Sequence, residues 1–329
     1  MNQRAVVFGA TGHIGAHVVR ALLARGYAVR ATYRNPRYRL LLEDLPVEAV
    51  PVDLDEPSRV ASVVDGCPFV FYCAGYYPRW TDHRLQAIAR GLAQVRRVFD
   101  VLRSHPAQRI VYTSSASTIA PRPGRASTEA DGESWPLAHW RPLYATVKTA
   151  MEHEVLRYAQ AGLPVVIVNP SVCIGEYDAH AFSGRLVLLF ARGTVPVYLE
   201  HHLNAIYTGD VGVGHVVAAE RGQVGARYLL AAHNVSLLDF ARLVAEEAGV
   251  RPPRWRVPYP LARTAAVATE LIAAATRTEP LLSRGVLEAA RIGQRLDAAS
   301  ARRDLDLPQT PLDEAIRRAV GWFRQHRYL

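Results

Sequence analysis

Apolar residues follow two alternating rhythms through the first half of the chain. Short β-branched or aromatic runs at Arg4–Phe8, 27–33, 47–52, 69–73, Arg109–Thr113 and 165–168 have the length and composition of strands. Between them stand segments with helical spacing at 14–25, 60–64, 85–103 and Leu143–Gln160. In the first, Ile14, Val18 and Leu22 make one stripe, and Gly26 closes it. Strands joined through helices must run parallel, and parallel strands buried on both faces read as continuous apolar runs. The pattern predicts an α/β fold built on a doubly wound parallel sheet. After Pro170 prolines cluster at 251–260, and helical spacing dominates at 236–248, 261–276 and 311–324. This half reads as a smaller, mainly helical part. A strand at 227–231 could rejoin the sheet. The expected division is 1–170 for a nucleotide-binding domain and 171–329 for a substrate-binding domain, with 203–232 returning to the sheet.

The first strand runs into Gly9-Ala10-Thr11-Gly12-His13-Ile14-Gly15, which opens the first helix. Glycines there permit a tight turn and close backbone approach, and the helix start offers free N–H groups and a positive dipole end to a pyrophosphate. Dinucleotide binding is therefore expected at Gly9, Thr11, Gly12, His13, Ile14 and Gly15. An NAD site usually places an acid at the end of the second strand, to grip the ribose 2′-hydroxyl. This chain has Arg30-Ala31-Thr32-Tyr33-Arg34-Asn35-Pro36-Arg37 there, without an acid. Arg34 stands where a 2′-phosphate would lie, with Arg30 and Arg37 close in sequence, so NADP(H) is expected. Asp53 and Leu54, after the third strand, are placed to meet the adenine. Cys73, Ala74 and Gly75, after the fourth, make a small-residue floor for the nicotinamide ribose.

Of the 39 basic residues Lys148 is the single lysine. It lies in Tyr144-Ala145-Thr146-Val147-Lys148, about 130 residues after the glycine turn. Positions i and i+4 share a helix face, so the phenol and the amine converge. A phenol ionises near pH 10, and a neighbouring ammonium favours the phenolate, so a lowered Tyr144 pKa is expected. Lys148 is also placed to bond the nicotinamide ribose, which an arginine would not do in the same way. Ser115, at the end of the strand Arg109–Thr113, is expected to align a substrate carbonyl with Tyr144; Ser114 and Ser117 are its alternates.

Composition narrows the partners. The chain has 329 residues, 50% hydrophobic and 21% charged, which suits a globular fold and excludes disordered or fibrous classes. The net charge of +9 is spread along the chain without a basic block, so no nucleic-acid partner is expected, and a small anionic ligand fits the basic balance at least as well. Cys67, Cys73 and Cys173 are an odd number in apolar surroundings and read as buried, reduced thiols. With no signal-peptide pattern after Met1 and no long apolar run, a cytoplasmic location and no transmembrane segment are expected. No metal site is expected. The Ala/Leu-rich segment 261–275 reads as a buried cap helix; peripheral membrane contact or a homodimer face is its other use.

The chain resembles the extended short-chain dehydrogenase/reductases. The likeness is to the dihydroflavonol-reductase-like and 3β-hydroxysteroid-dehydrogenase-like branch, which includes bacterial hopanoid-associated sugar epimerase-like proteins. The resemblance rests on Thr11-Gly12 and its following glycine, Arg34, Tyr112-Thr113-Ser114-Ser115, the Tyr144/Lys148 pair, Val168-Asn169-Pro170-Ser171 and Trp322-Phe323-Arg324. It implies a Rossmann domain, a C-terminal substrate domain and a catalytic Ser115–Tyr144–Lys148 triad. Asn169, Pro170 and Val172 complete the expected cofactor-binding set. Three positions depart from the family pattern. The usual Asn-Val-x-Gly-Thr run reads Ile88-Ala89-Arg90-Gly91-Leu92, a common histidine is Tyr207, and a common proline is Glu176.

Aromatic residues gather beside the expected cleft. Tyr76, Tyr77, Trp80 and Trp140, with Arg141, are the expected substrate-binding residues, and they suit a flat, apolar or ring-containing molecule. The expected activity is NADP-dependent hydride transfer to or from a carbonyl or alcohol carbon. A nucleotide-sugar epimerase and a non-catalytic NADP(H) sensor are the alternatives.

Overall fold

The structure, a computed structural model, describes the chain except residues 1–2, 80, 133–141, 277, 279 and 281. Trp80, Trp140 and Arg141 lie outside the described residues. The N-terminal half runs β1 (Arg4–Phe8), α1 (His13–Ala24), β2 (Ala28–Tyr33), β3 (Glu48–Pro51), α2 (Pro57–Val64), β4 (Phe69–Tyr72), α3 (Arg84–Arg103), β5 (Arg109–Thr113), α4 (Leu143–Gln160) and β6 (Val165–Pro170). It continues with β7 (Val172–Ile174), α5 (Arg185–Ala191), β8 (Val197–Tyr198), β9 (His202–Tyr207), α6 (Thr208–Arg221) and β10 (Arg227–Leu230). The last elements are β11 (His233–Ser236), α7 (Leu237–Ala248), β12 (Trp255–Arg256), α8 (Tyr259–Thr276), α9 (Arg284–Ile292), α10 (Ala299–Leu305) and α11 (Leu312–Gln325).

Seven strands form one parallel sheet in the order β10-β6-β5-β4-β1-β2-β3. Strand alternation supplies both faces. On β1, Ala5 and Val7 enter one core, which α1 and α6 cover, while Val6 and Phe8 enter the other, under α2, α3 and α4. All four are fully buried. Chain order reverses at β1, whose neighbours are β2 and β4, and the crevice beyond the carboxyl ends of these strands is where such sheets bind ligands.

β10 pairs with β6 in parallel, Tyr228 opposite Val168, so the chain returns to the sheet after β9 and α6. Four elements around this return carry no helical or strand rhythm of their own. β7, β9 and β11 make a separate three-stranded sheet, with β9 between the other two. α6 is buried nearly all round, so it shows no polar face by which a helix would be read.

α8 departs from expectation. Only Ala262, Ala266 and Ala273 are buried; Leu261, Val267, Leu271 and Ile272 face solvent. The helix meets α9 through Ala262 and Ala266 beside Leu287 and through Tyr259 to Glu288 and Glu270 to Arg284, while its large aliphatic side chains stay exposed. No helix among the described residues is long and apolar enough to cross a membrane.

Candidate active site

The glycine turn is shaped by contacts only glycine allows. Gly9 has φ +78°, and a Cβ there would lie 2.9 Å from the Ala74 backbone. A Cβ on Gly15 would fall 2.1 Å from the Gly9 carbonyl oxygen. The turn thus seats α1 directly on the ends of β1 and β4. No side chain caps α1, so its first amides keep their donors for an anion. The His13 side chain turns away from the turn: Nδ1 lies 3.1 Å from Ser183 Oγ and Nε2 2.9 Å from Thr208 Oγ1. His13 can therefore serve a phosphate through its backbone only.

At the end of β2, Arg34 is exposed, and no ion pair holds it among the described residues. Arg30 is not available beside it. Its side chain faces the far end of the strand, bonding Glu48 at 2.9 Å and the carbonyls of Val63 and Asp65 at 2.8 and 3.0 Å. Arg37 lies over the Tyr38 ring. Asp53 is exposed and accepts from the Asp55 amide at 3.0 Å, closing a short turn. Leu54 is buried beside it. A free-amide helix start on a glycine turn fits the pyrophosphate of a nicotinamide dinucleotide.

The reacting groups meet across β5 and α4. Gly91 sets the packing of α4: its Cβ would lie 2.9 Å from Val147, so α3 and the face behind Tyr144 and Lys148 come close. Lys148 is 2% exposed, with Nζ 3.5 Å from the Thr113 carbonyl. Burial pushes its pKa down to about 8, and Glu152 opposes the fall. The Tyr144 phenol lies within the influence of the Ser115 and Tyr77 side chains. The lowered Tyr144 pKa expected from Lys148 is not found. Burial dominates and pushes the phenol up to about 12, against the pull of the Ser115 and Tyr77 side chains. Tyr144 is thus a protonated donor at neutral pH.

The three candidate serines separate. Ser115 caps a short 3-10 turn, accepting from the Ser117 amide at 3.2 Å, and reaches Tyr144. Ser114 donates to Glu152. The Ser117 hydroxyl is buried without a partner. Asn169 is likewise directed inward. Its Nδ2 donates to the Ser115 carbonyl at 3.2 Å, Thr118 Oγ1 at 3.0 Å and Glu152 at 2.6 Å. Asn169 therefore supports the Ser115 turn, and its expected cofactor contact cannot come from its side chain. Pro170 ends β6, and Val172 is half-buried in β7.

Gly75 lies beside Lys148, as a floor should: a Cβ there would be 3.1 Å from Nζ. The same Cβ would be 3.0 Å from the Tyr77 ring. Tyr77 stacks on Tyr144 with centroids 5.4 Å apart and planes 13° apart, and it meets Phe182 at 4.4 Å. Tyr77 and Phe182 are 47% and 59% exposed, so this aromatic face opens outward. A nicotinamide over Gly75 requires the Tyr77 side chain to turn aside. Tyr76 points elsewhere and donates to Asp82 at 3.1 Å. Cys73 is half-buried, and burial pushes its thiol up to about 12; Cys67 and Cys173 are buried. All three are free. Phe182 is a residue the sequence reading missed. It sits in a loop after β7 with no periodic signal.

The two single-residue departures from the family pattern meet one another. Tyr207 Oη donates to Glu176 Oε1 at 2.7 Å, and Arg318 Nη1 donates to Tyr207 Oη at 3.1 Å. Among the described residues, no cluster of histidine, cysteine or acidic side chains could hold a metal ion.

A buried amine, a protonated phenol and a serine hydroxyl at the crevice can donate a proton to a carbonyl oxygen and hold it in line. Comparisons with known proteins agree with that chemistry. The chain is 31% identical to a putative dihydroflavonol 4-reductase of Synechocystis, over 98% of this chain and 95% of that protein. It is 29% identical to sterol demethylase protein B of Methylococcus capsulatus, over 97% and 98%. Among solved structures, a nucleoside-diphosphate-sugar epimerase from Pseudomonas aeruginosa is 27% identical, covers both chains completely and superposes with a TM-score of 0.82. Residues 5–231 match the family described as "NAD dependent epimerase/dehydratase family", and the chain belongs to that family of extended short-chain dehydrogenase/reductases.

Proposed function

We propose that the protein is an NADP(H)-dependent oxidoreductase that passes hydride between the nicotinamide and a carbonyl or alcohol carbon of an apolar, ring-containing substrate. The observation that carries this reading is the meeting of Ser115, Tyr144 and Lys148 at the carboxyl edge of the sheet, beside Gly75 and the open Tyr77–Phe182 face. The bound nicotinamide supplies or takes the hydride. Ser115 and Tyr144 take the substrate oxygen between them. Tyr144 is protonated at neutral pH, so it acts as the general acid when a carbonyl is reduced. Lys148 supplies the nearby positive charge that steadies the phenolate left behind. Arg34 grips the 2′-phosphate and the start of α1 the pyrophosphate. Residues after Pro170 supply the substrate side, with Phe182 the first of them. The names of two relatives, a putative dihydroflavonol 4-reductase and a sterol demethylase protein, support a multi-ring substrate.

A nucleotide-sugar epimerase is the second reading, favoured by likeness to the Pseudomonas epimerase. The two differ in cofactor balance. A reductase consumes NADPH mole for mole, whereas an epimerase converts substrate with no net oxidation. The test is NADPH oxidation over ketones, aldehydes, sterol- and triterpenoid-like compounds and nucleotide sugars. We expect oxidation with a ring ketone and a loss of at least about a hundredfold in Tyr144→Phe, the usual worth of general acid–base catalysis. Full activity in Tyr144→Phe would refute the mechanism. Epimerised sugar with unchanged NADPH would favour the second reading.

A further inference from the structure

Lys148 and Glu152 stand four residues apart on α4, so they share one face of that helix. Both are 2% exposed. A carboxylate so deep is costly unless its oxygens are fully engaged. Those of Glu152 are engaged from three other segments. Oε1 accepts from Arg227 Nη1 of β10 at 2.9 Å. Oε2 accepts from the Ser114 hydroxyl, from Thr118 Oγ1 at 3.0 Å and from Asn169 Nδ2 at 2.6 Å. Asn169 passes the hold on to the Ser115 carbonyl. One carboxylate is thereby tied to the residue before Ser115, to the turn after it and, through Asn169, to Ser115 itself.

The groups that bear on Lys148 from every packed element are few. They are Glu152 on α4, the Thr113 carbonyl on β5, the Cys73 thiol after β4, and the Tyr77 ring. Burial pushes the thiol and the Tyr77 phenol up, so both stay protonated at neutral pH and Glu152 is the one carboxylate among them. On the far side Arg227 faces Glu152, and Arg227 also donates to the Glu129 carbonyl.

We propose that Glu152 is the positioning residue of this site, one carboxylate that both keeps the Lys148 amine charged and holds Ser115 against Tyr144. The proposal rests on the functional reading of Ser115, Tyr144 and Lys148, and its test is separable from that reading. Lys148 is the chain's only lysine, so protein made with side-chain isotope-labelled lysine gives a single amine resonance. Titration of that resonance reads Lys148 without turnover. In Glu152→Gln the shape is kept and the charge removed. The Asn169 Oδ1, buried without a partner, can turn to accept from the new amide. The Lys148 midpoint is expected about one pH unit lower than in the unaltered chain. Loosened packing would readmit water and raise the midpoint, so a fall in Glu152→Gln is a sign that packing alone would not produce. Arg227→Gln removes the opposing cation and is expected to move the midpoint up with the backbone amide spectrum unchanged outside the site. It also serves if Glu152→Gln fails to fold. An unmoved or raised midpoint in Glu152→Gln, or a midpoint unmoved or lowered in Arg227→Gln, overturns the proposal. With a moved midpoint, the pH profile of kcat for NADPH oxidation should move in the same direction. A moved midpoint with an unmoved kcat profile upholds the charge coupling and refutes the functional reading instead.

Discussion

Arg34 and Arg30 show how little sequence distance says about where a guanidinium points. They lie four positions apart, and β2 ends between them, so Arg34 stands exposed past the strand end while Arg30 is spent on Glu48 and two carbonyls. In the proposed NADP(H) reading, the 2′-phosphate on this strand falls to Arg34. A hydrogen bond to a charged group is worth about 1.5–3 kcal/mol, or roughly ten- to a hundredfold in affinity. Arg34→Ala should weaken NADPH by about that factor and leave NADH nearly unchanged, because NADH brings no 2′-phosphate. Titration of each cofactor by fluorescence or calorimetry checks this, and equal losses for the two would remove Arg34 from the site. Lys148 makes the opposite point. Its solitary status was plain in the composition, and its place among Glu152, Thr113 and Cys73 gives the reason for an amine there: a compact charge fits a pocket where a guanidinium fork would leave donors unpaired.

Among the elements, α1 and α6 fit closely. Gly212 on α6 faces the backbone of His17 on α1, and a Cβ there would lie 2.8 Å from both the carbonyl carbon and oxygen. Neither helix can yield cheaply, since α1 is fixed at its start by the glycine turn and α6 is buried on both flanks. Gly212→Ala should cost about 1–3 kcal/mol, as overpacking in a close-fitted interior does. The denaturant midpoint would measure it, and an unchanged midpoint would mean that the helices part freely. This contact also marks where the sequence stopped being legible. The strands of the parallel sheet and the helices α1, α3, α4, α7 and α11 were readable, because each shows a stripe or an unbroken apolar run. The same holds for the glycine turn and the Tyr144/Lys148 spacing. α6 was not, since burial on all sides erases the polar face. The sheet of β7, β9 and β11 was not, since its strands are short and joined by long-range pairing. In the site, Phe182 and the inward turn of Asn169 were hidden for the same reason. Both depend on partners brought in from distant segments, not on local spacing.

On the scale of the whole molecule, neutral histidines tie the sheet to what surrounds it. His17 contacts the Glu176 carbonyl at 3.1 Å, and His13 bridges Ser183 and Thr208. His215 sits between Thr113 Oγ1 at 2.8 Å and the Val211 carbonyl at 2.7 Å. Burial lowers the pKa of all three, that of His215 to about 4. The native state therefore holds fewer protons than the unfolded chain once pH drops below the ordinary histidine value of about 6.5. Stability rises with pH wherever the unfolded state binds more protons, so the contribution of His215 is complete above about pH 6.5 and lost as pH falls toward 4. Each pH unit is worth about 1.4 kcal/mol per group, so His215 alone should remove about 3 kcal/mol over that window. Denaturant unfolding at steps between pH 7 and pH 4 should show stability falling with acid, more shallowly in His215→Gln, which cannot take up the proton. An equal slope in the two proteins would mean that acid acts elsewhere, and the carboxylates would then have to account for the loss. They act at lower pH: the Arg125 and Arg122 guanidiniums beside Asp131 hold its carboxyl well below the usual range, so a fall confined to the acid end of the series would point to that cluster and not to the histidines.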